Sequence, residues 1–192
     1  MKVTERTRIR NHPERAVPGE AAAILSEGRV AHVGFVQGGQ PFVIPFSYHY
    51  DPSRPDHVYL HGALKGRALG HLANGEPVCV TVTLVDGLVY SRKAMSHSMN
   101  YRSVVLLGKA RAITDQSEKY ELLDQMVRRY FPGRSIGSDY APPLPADLGI
   151  TAVVEVLIEE WNAKARRGGP AGPDDKRPGA PGTAGVVETG GL

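Results

Sequence analysis

The sequence holds one cysteine, Cys79, so no disulfide can form within the chain. Long apolar runs are missing too. No stretch approaches the roughly 18 residues of a membrane helix, and the start Met1-Lys2-Val3-Thr4-Glu5-Arg6 lacks the apolar segment of a secretory signal. A soluble, cytoplasmic protein with no membrane partner is expected. Excess charge is scarce: 23 Lys and Arg against 20 Asp and Glu leave a formal +3, much of it in the tail beyond residue 163. That excludes the clustered basic face of a nucleic-acid binder. Metal-ligand spacing is absent as well. His57 and His61, four residues apart on a strand, would be separated by roughly 13 Å, and His32, His49, His71 and His97 show no ligand pattern. There is no internal repeat.

What is present suits one folded domain. A hydrophobic content of 41% can fill a core in a chain of this length. After Pro18, the run Ala21-Ala22-Ala23-Ile24-Leu25 predicts a short helix that Gly28 stops. Residues 29–36 and 42–50 predict two strands joined by the turn Gln37-Gly38-Gly39-Gln40. A short strand over 57–61 and a helix over 64–73 follow. Val78, Val80, Val82 and Leu84 alternate with Cys79, Thr81 and Thr83, giving a strand with one greasy face and one small, partly polar face. Cys79 reads as a buried structural thiol. Asp86-Gly87 predicts a turn into 88–90, and the longest strand candidate covers 101–113. Asp115 and Glu118 resemble a capping box before a helix with Leu122, Leu123, Met126, Val127 and Tyr130 on one stripe. A last strand is expected over 152–158. Beyond Asn162, glycine and proline without hydrophobic period predict a linker or disordered tail. This order lacks the strand-helix alternation of a parallel sheet, so the fold class is mainly β, an antiparallel barrel with peripheral helices.

One segment carries the chemistry of an anion site. Tyr59-Leu60-His61-Gly62-Ala63-Leu64-Lys65-Gly66-Arg67 brings together a strand end, two glycines, two cations and a helix start. Helix-start amides, close backbone approach at glycine and the charges of Lys65 and Arg67 all suit a phosphate. The spacing is not that of a P-loop, and a solvated basic turn is the plainer alternative. His61 is the candidate catalytic or substrate-contacting side chain, able to move a proton near neutral pH, unless it is a structural histidine at the barrel rim.

Four blocks, in order, make the pattern specific: Phe42-Val43-Ile44-Pro45-Phe46-Ser47-Tyr48; Val58 to Ala63 with Lys65-Gly66-Arg67; Pro77 to Val82; and Ser96-His97-Ser98-Met99-Asn100-Tyr101-Arg102-Ser103-Val104-Val105. Together they resemble the pyridoxamine 5′-phosphate oxidase-like, flavin-nucleotide-binding proteins, the group that includes nitroimidazole-resistance proteins, over residues 6–167. The resemblance implies a split-barrel homodimer with FMN held at the subunit interface. It places Pro45, Phe46, Ser47 and Tyr48 beside the flavin ring, and His61, Gly62 and Ala63 at flavin and ribityl. Lys65, Gly66 and Arg67 then lie at the phosphate, and Thr81, Asn100, Tyr101, Arg102 and Ser103 close the pocket. Ala68 stands where the family often has a second cation. Trp161 would pack on a partner or flavin edge if it does not simply cap the surface, and Arg102 could instead be an interface ion-pair residue. Residues 161–175 resemble a family C-terminal segment. The chain therefore divides into a binding domain over 1–160, an extension over 161–175 ordered on the dimer, and a disordered tail over 176–192.

The activity implied is an FMN-dependent oxidoreductase passing electrons from a nicotinamide to a small-molecule substrate such as a nitro-aromatic compound or quinone, the cofactor doing the chemistry. Deazaflavin is an alternative cofactor. A non-enzymatic carrier of flavin or haem is the alternative function, with His61 or His97 as axial haem ligand. A true pyridoxamine phosphate oxidase ranks third, because its substrate-phosphate motif is not found.

Overall fold

A computed structural model describes residues 1–190 of the chain. In chain order the elements are α1 (Ala21–Glu27), β1 (Val30–Gln37), β2 (Gln40–His49), β3 (His57–Ala63), α2 (Arg67–Leu72), β4 (Pro77–Tyr90), β5 (Ser98–Ile113), α3 (Gln116–Tyr130), α4 (Pro145–Ile150), β6 (Thr151–Arg166) and β7 (Gly185–Glu188). The strands form one antiparallel sheet in the order β1-β2-β3-β6-β5-β4-β7, and an added β1–β4 pairing closes the first six into a ring. The expected fold class, a mainly β split barrel with peripheral helices, is the one observed.

Period-two alternation puts Val33, Phe35, Tyr48, Leu60, Val80, Val82, Val104, Leu106, Val154 and Val156 inside the ring, where burial of apolar surface stabilises it. α1 adds Ile24 and Leu25, both fully buried, to the same core. A second cluster lies outside the ring, where Leu122 and Met126 of α3 cover Tyr59, Ile113 and Val153.

Several elements depart from expectation. Asp86-Gly87 is a bulge within one continuous β4, marked by a register shift between Val85 and Gly87. Close approach accounts for the glycine: a Cβ there would stand 3.0 Å from the Val187 carbonyl oxygen. β6 runs eight residues past the expected end at 158, because its far half pairs with β5 as far as Tyr101–Arg166. Composition suggested disorder from 176 onward, yet Gly185–Glu188 forms β7. It pairs with the end of β4, Gly87 to Tyr90, beyond the stretch that pairs with β1. The preceding segment is pinned by specific polar contacts. The Asp175 carboxylate accepts from the Ser91 hydroxyl and the Arg92 amide, both at 2.8 Å, and Arg92 donates to the carbonyls of Ala180 and Gly182. Contacts of this kind leave no hydrophobic period in the sequence. Gly191 and Leu192, the end of the expected tail, lie outside the described residues.

Candidate cofactor site

On β2 the side chains of Phe42, Ile44, Phe46 and Tyr48 turn toward the core while Val43, Pro45 and Ser47 are exposed. The block assigned to a flavin ring is therefore split. Pro45 and Ser47 face outward, Phe46 is half-buried, and Tyr48 lies wholly inside the ring, donating to the Leu25 carbonyl at 2.6 Å. Burial pushes the Tyr48 phenol up to about 12. Its side chain is a core group with no access to an outer ligand.

Pairing then gathers outward residues from distant parts of the sequence. Pro45 pairs with His32, His32 with Thr81, and Thr81 with Val105, a row across four strands. Ser103 lies opposite Thr83, one same-face step further along. Beside this row runs Val43, Gly34, Cys79 and Leu107, with Phe42 at the rim of a groove of about 670 Å³. Burial pushes the Cys79 thiol up, which leaves it protonated and unreactive at neutral pH.

Of the phosphate-loop candidates, Arg67 touches a residue of this groove, while Lys65 and Gly66 do not line it. The Arg67 guanidinium lies 4.9 Å from the centre of the Phe42 ring, which itself lines the groove. Lys65 is exposed and has no hydrogen-bond or ion-pair partner among the described residues. Gly66 closes a turn by donating to the Ala63 carbonyl at 2.8 Å, and a Cβ there would come within 2.9 Å of that oxygen. One expectation is corrected here. The helix predicted over 64–73 is only Arg67–Leu72, because residues 63–66 form the turn. Six residues sum too little dipole to make its first amides an anion site, so the side-chain cations carry the loop.

His61 and Gly62 lie at the end of β3, where β2–β3 pairing has stopped after Tyr48–Leu60 and His49–Tyr59. His61 is half-buried, its Nδ1 is buried with no partner, and burial lowers its pKa. A neutral imidazole with a free ring nitrogen can accept a proton or ligate a metal. His71 of α2 likewise has an unpartnered buried Nε2, and its ring stands 5.4 Å from Phe35. His97, the other proposed axial ligand, is exposed on a turn with Nδ1 at 3.1 Å from the Ala94 carbonyl, so it faces no apolar slot.

The block 100–103 is also divided by strand alternation. Tyr101 and Ser103 share the face of Val105, while Asn100 and Arg102 point the other way and are engaged. Arg102 is held by Asp86 at 2.7 Å and Glu27 at 2.5 Å, which fixes its charge in an intrachain network. Asn100 is held by Arg166 and the Gly168 carbonyl. Trp161 packs on the core in line with its inward neighbours. Sequence reasoning left out Phe42 as the platform for Arg67, although Phe42 stood in a quoted block. It also left out His32 between Pro45 and Thr81, for which only strand pairing gives a signal.

The family model for pyridoxamine 5′-phosphate oxidase matches residues 18–165, most of the folded part. The chain belongs to the pyridoxamine 5′-phosphate oxidase-like family. Among solved members, the flavocytochrome Anf3 from Azotobacter vinelandii is 34% identical, with a TM-score of 0.84 over 98% of this chain and 86% of that one. The FAD and heme binding protein from Mycobacterium smegmatis is 28% identical, with a TM-score of 0.79 over 91% and 83%. A putative 5-nitroimidazole antibiotic resistance protein from Bacteroides thetaiotaomicron is 26% identical, with a TM-score of 0.62 over 78% and 86%. No curated protein matches the chain. Within this oxidase-like family, the chain thus resembles proteins named for flavin, for haem and for drug resistance.

Proposed function

We propose that this protein binds a flavin, FMN or FAD, with its phosphate on Lys65 and Arg67, and works as an oxidoreductase that passes electrons from a nicotinamide to a small acceptor. The observation that carries this reading is the Arg67 guanidinium over the ring of Phe42, a side chain that lines an apolar groove of about 670 Å³. A flavin phosphate needs fixed cations, and its ring needs an apolar slot with a few polar edges. Ser47, Thr81 and Ser103 offer polar groups on the same outer face, beside Pro45. When bound, the flavin supplies hydride and single-electron chemistry. The chain's own residues bind and orient it, shield it from water, and hold His61 neutral as a proton acceptor.

The site would be completed by a second copy of the chain. The outer face carries exposed Val43, Val105, Leu88, Met99 and Val187, the last three on one cross-strand row, an apolar surface of the kind that subunits cover.

A second reading adds haem. It rests on the unpartnered buried nitrogens of His61 and His71 and on the 34% identity to a flavocytochrome. His61 is the proposed axial ligand, since it lies at the strand end beside the loop. Reconstitution with FMN, FAD and haem, followed by absorption spectra and sedimentation of the loaded protein, tests both readings. The expected result is an oxidised-flavin spectrum at one flavin per chain in a dimer. A Soret band that His61→Ala removes would establish the haem reading, and a monomer that takes up neither flavin would overturn the first.

A further inference from the structure

At the far end of β6 from Gly62, a second groove of about 570 Å³ opens between the first turns of the chain and the segment that follows β6. Both walls are fixed. On one side Val17 donates to the Ala163 carbonyl at 2.8 Å, and Lys164 donates to the Asn11 carbonyl at 3.1 Å. On the other, Arg166 holds the carbonyls of Gly168 and Gly169 at 3.3 and 3.2 Å.

The lining brings Arg15, Arg166, Arg167 and Lys176 together against one carboxylate, Glu14. Two of the four cations are committed, Arg166 to Asn100 and backbone carbonyls and Arg167 to Glu20. The other two are not. Arg15 has only a 3.7 Å approach to exposed Glu14, and Lys176 has no partner among the described residues. Between them runs Gly168-Gly169-Pro170, with Gly168 at φ +107, a conformation that side-chain-bearing residues rarely adopt. Successive glycine amides in such a turn, with no partner among the described residues, make a concavity suited to an anion. Val17, Ala165 and Pro170 add an apolar wall, and the volume falls within the roughly 300–1,000 Å³ of small-molecule sites.

We propose that this groove is a second anion site, built for the phosphates of an adenosine diphosphate group and separate from the Lys65–Arg67 loop. Concave shape and confined charge fit a nucleotide rather than a nucleic acid, which would need a longer basic stripe. The group would reach the groove as part of a nicotinamide dinucleotide, because the flavin-side phosphate of FAD is the one assigned to Lys65 and Arg67 at the other end of β6.

The test uses the full chain with ADP as probe. In the wild-type protein, ADP should shift the amide resonances of Gly168, Gly169 and Ala171 most strongly and saturably. Arg15→Gln with Lys176→Gln should weaken ADP binding by about tenfold or more, the scale of lost charge-assisted bonds, and leave FMN binding unchanged. The same double variant should weaken binding of a nicotinamide dinucleotide and leave both FMN and FAD unchanged; weakened FAD would contradict the separation of the two sites. Absence of a saturable shift at those amides, or equal ADP affinity in wild type and variant, would overturn the proposal. Because the resonance readout needs neither a variant nor a bound flavin, failure of the flavin reading would not mimic failure here.

Discussion

Burial sets the charge of the histidines before any ligand arrives. His61 is lowered from the ordinary range by burial alone. His49 is lowered by burial first and then by the Arg129 charge, with Asp51 and Gln125 opposing, and neither of its ring nitrogens has a partner. The unfolded chain therefore takes up protons near the ordinary histidine pKa of about 6.5, while the folded chain resists until lower pH. Stability from these groups is complete above that value and is lost as pH falls toward their folded pKa values. Thermal melts from pH 7.5 to 5 should show this decline, and His49→Phe, which keeps a ring beside Tyr59, should flatten it. An identical pH slope in the variant would contradict the assignment. The turn at Lys65, Gly66 and Arg67 was legible in the sequence from its glycines and clustered cations, although its helix is shorter than expected. Less legible were Tyr48 and Arg102, whose chemistry suits a ligand but whose strand positions point them into the core and an ion-pair network.

Elements are joined by polar clips that no periodicity reveals. The last turn of α3 reaches back to α1 and β2 through Arg129. Its guanidinium donates to the carbonyls of Tyr48 at 3.0 Å, Leu25 at 2.8 Å and Gly28 at 2.6 Å, and lies 4.4 Å from the Tyr48 ring centre. These carbonyls include the free end of α1, where a cation is favoured. Hydrogen bonds to a charged group contribute about 1.5–3 kcal/mol, so Arg129→Ala should lower unfolding free energy by roughly 2 kcal/mol or more. Urea denaturation checks this: a midpoint equal to wild type would show that the clip is dispensable, and Arg129→Lys, lacking the planar fork, should fall between. The apolar stripe of α3 was readable from Leu122 and Met126, both buried as their spacing implied. β7 was not, because four residues in a Gly- and Pro-rich tail show no period and gain their place only from the unpaired end of β4.

At the scale of the whole molecule, β1–β4 pairing closes six strands into a ring, and α3 covers only part of its outer face. Alternation along β4 and β5 and the β1–β4 closure together decide which residues can share a ligand. The barrel class followed from strand signals and turn chemistry, but the closure, and with it the Pro45–His32–Thr81–Val105 row, depends on pairing of β1 with β4, as in His32–Thr81, far apart in the chain. In the proposed reading, that row and the groove lined by Phe42 take the flavin whose phosphate Lys65 and Arg67 would bind. Titration of FMN and FAD fluorescence against wild-type protein and the Lys65→Ala, Arg67→Ala double variant tests this most directly. Saturable binding is expected for the wild type and a loss of about 2 kcal/mol or more for the variant, the scale of charge-assisted phosphate contacts. Equal flavin affinity in the two proteins would contradict it.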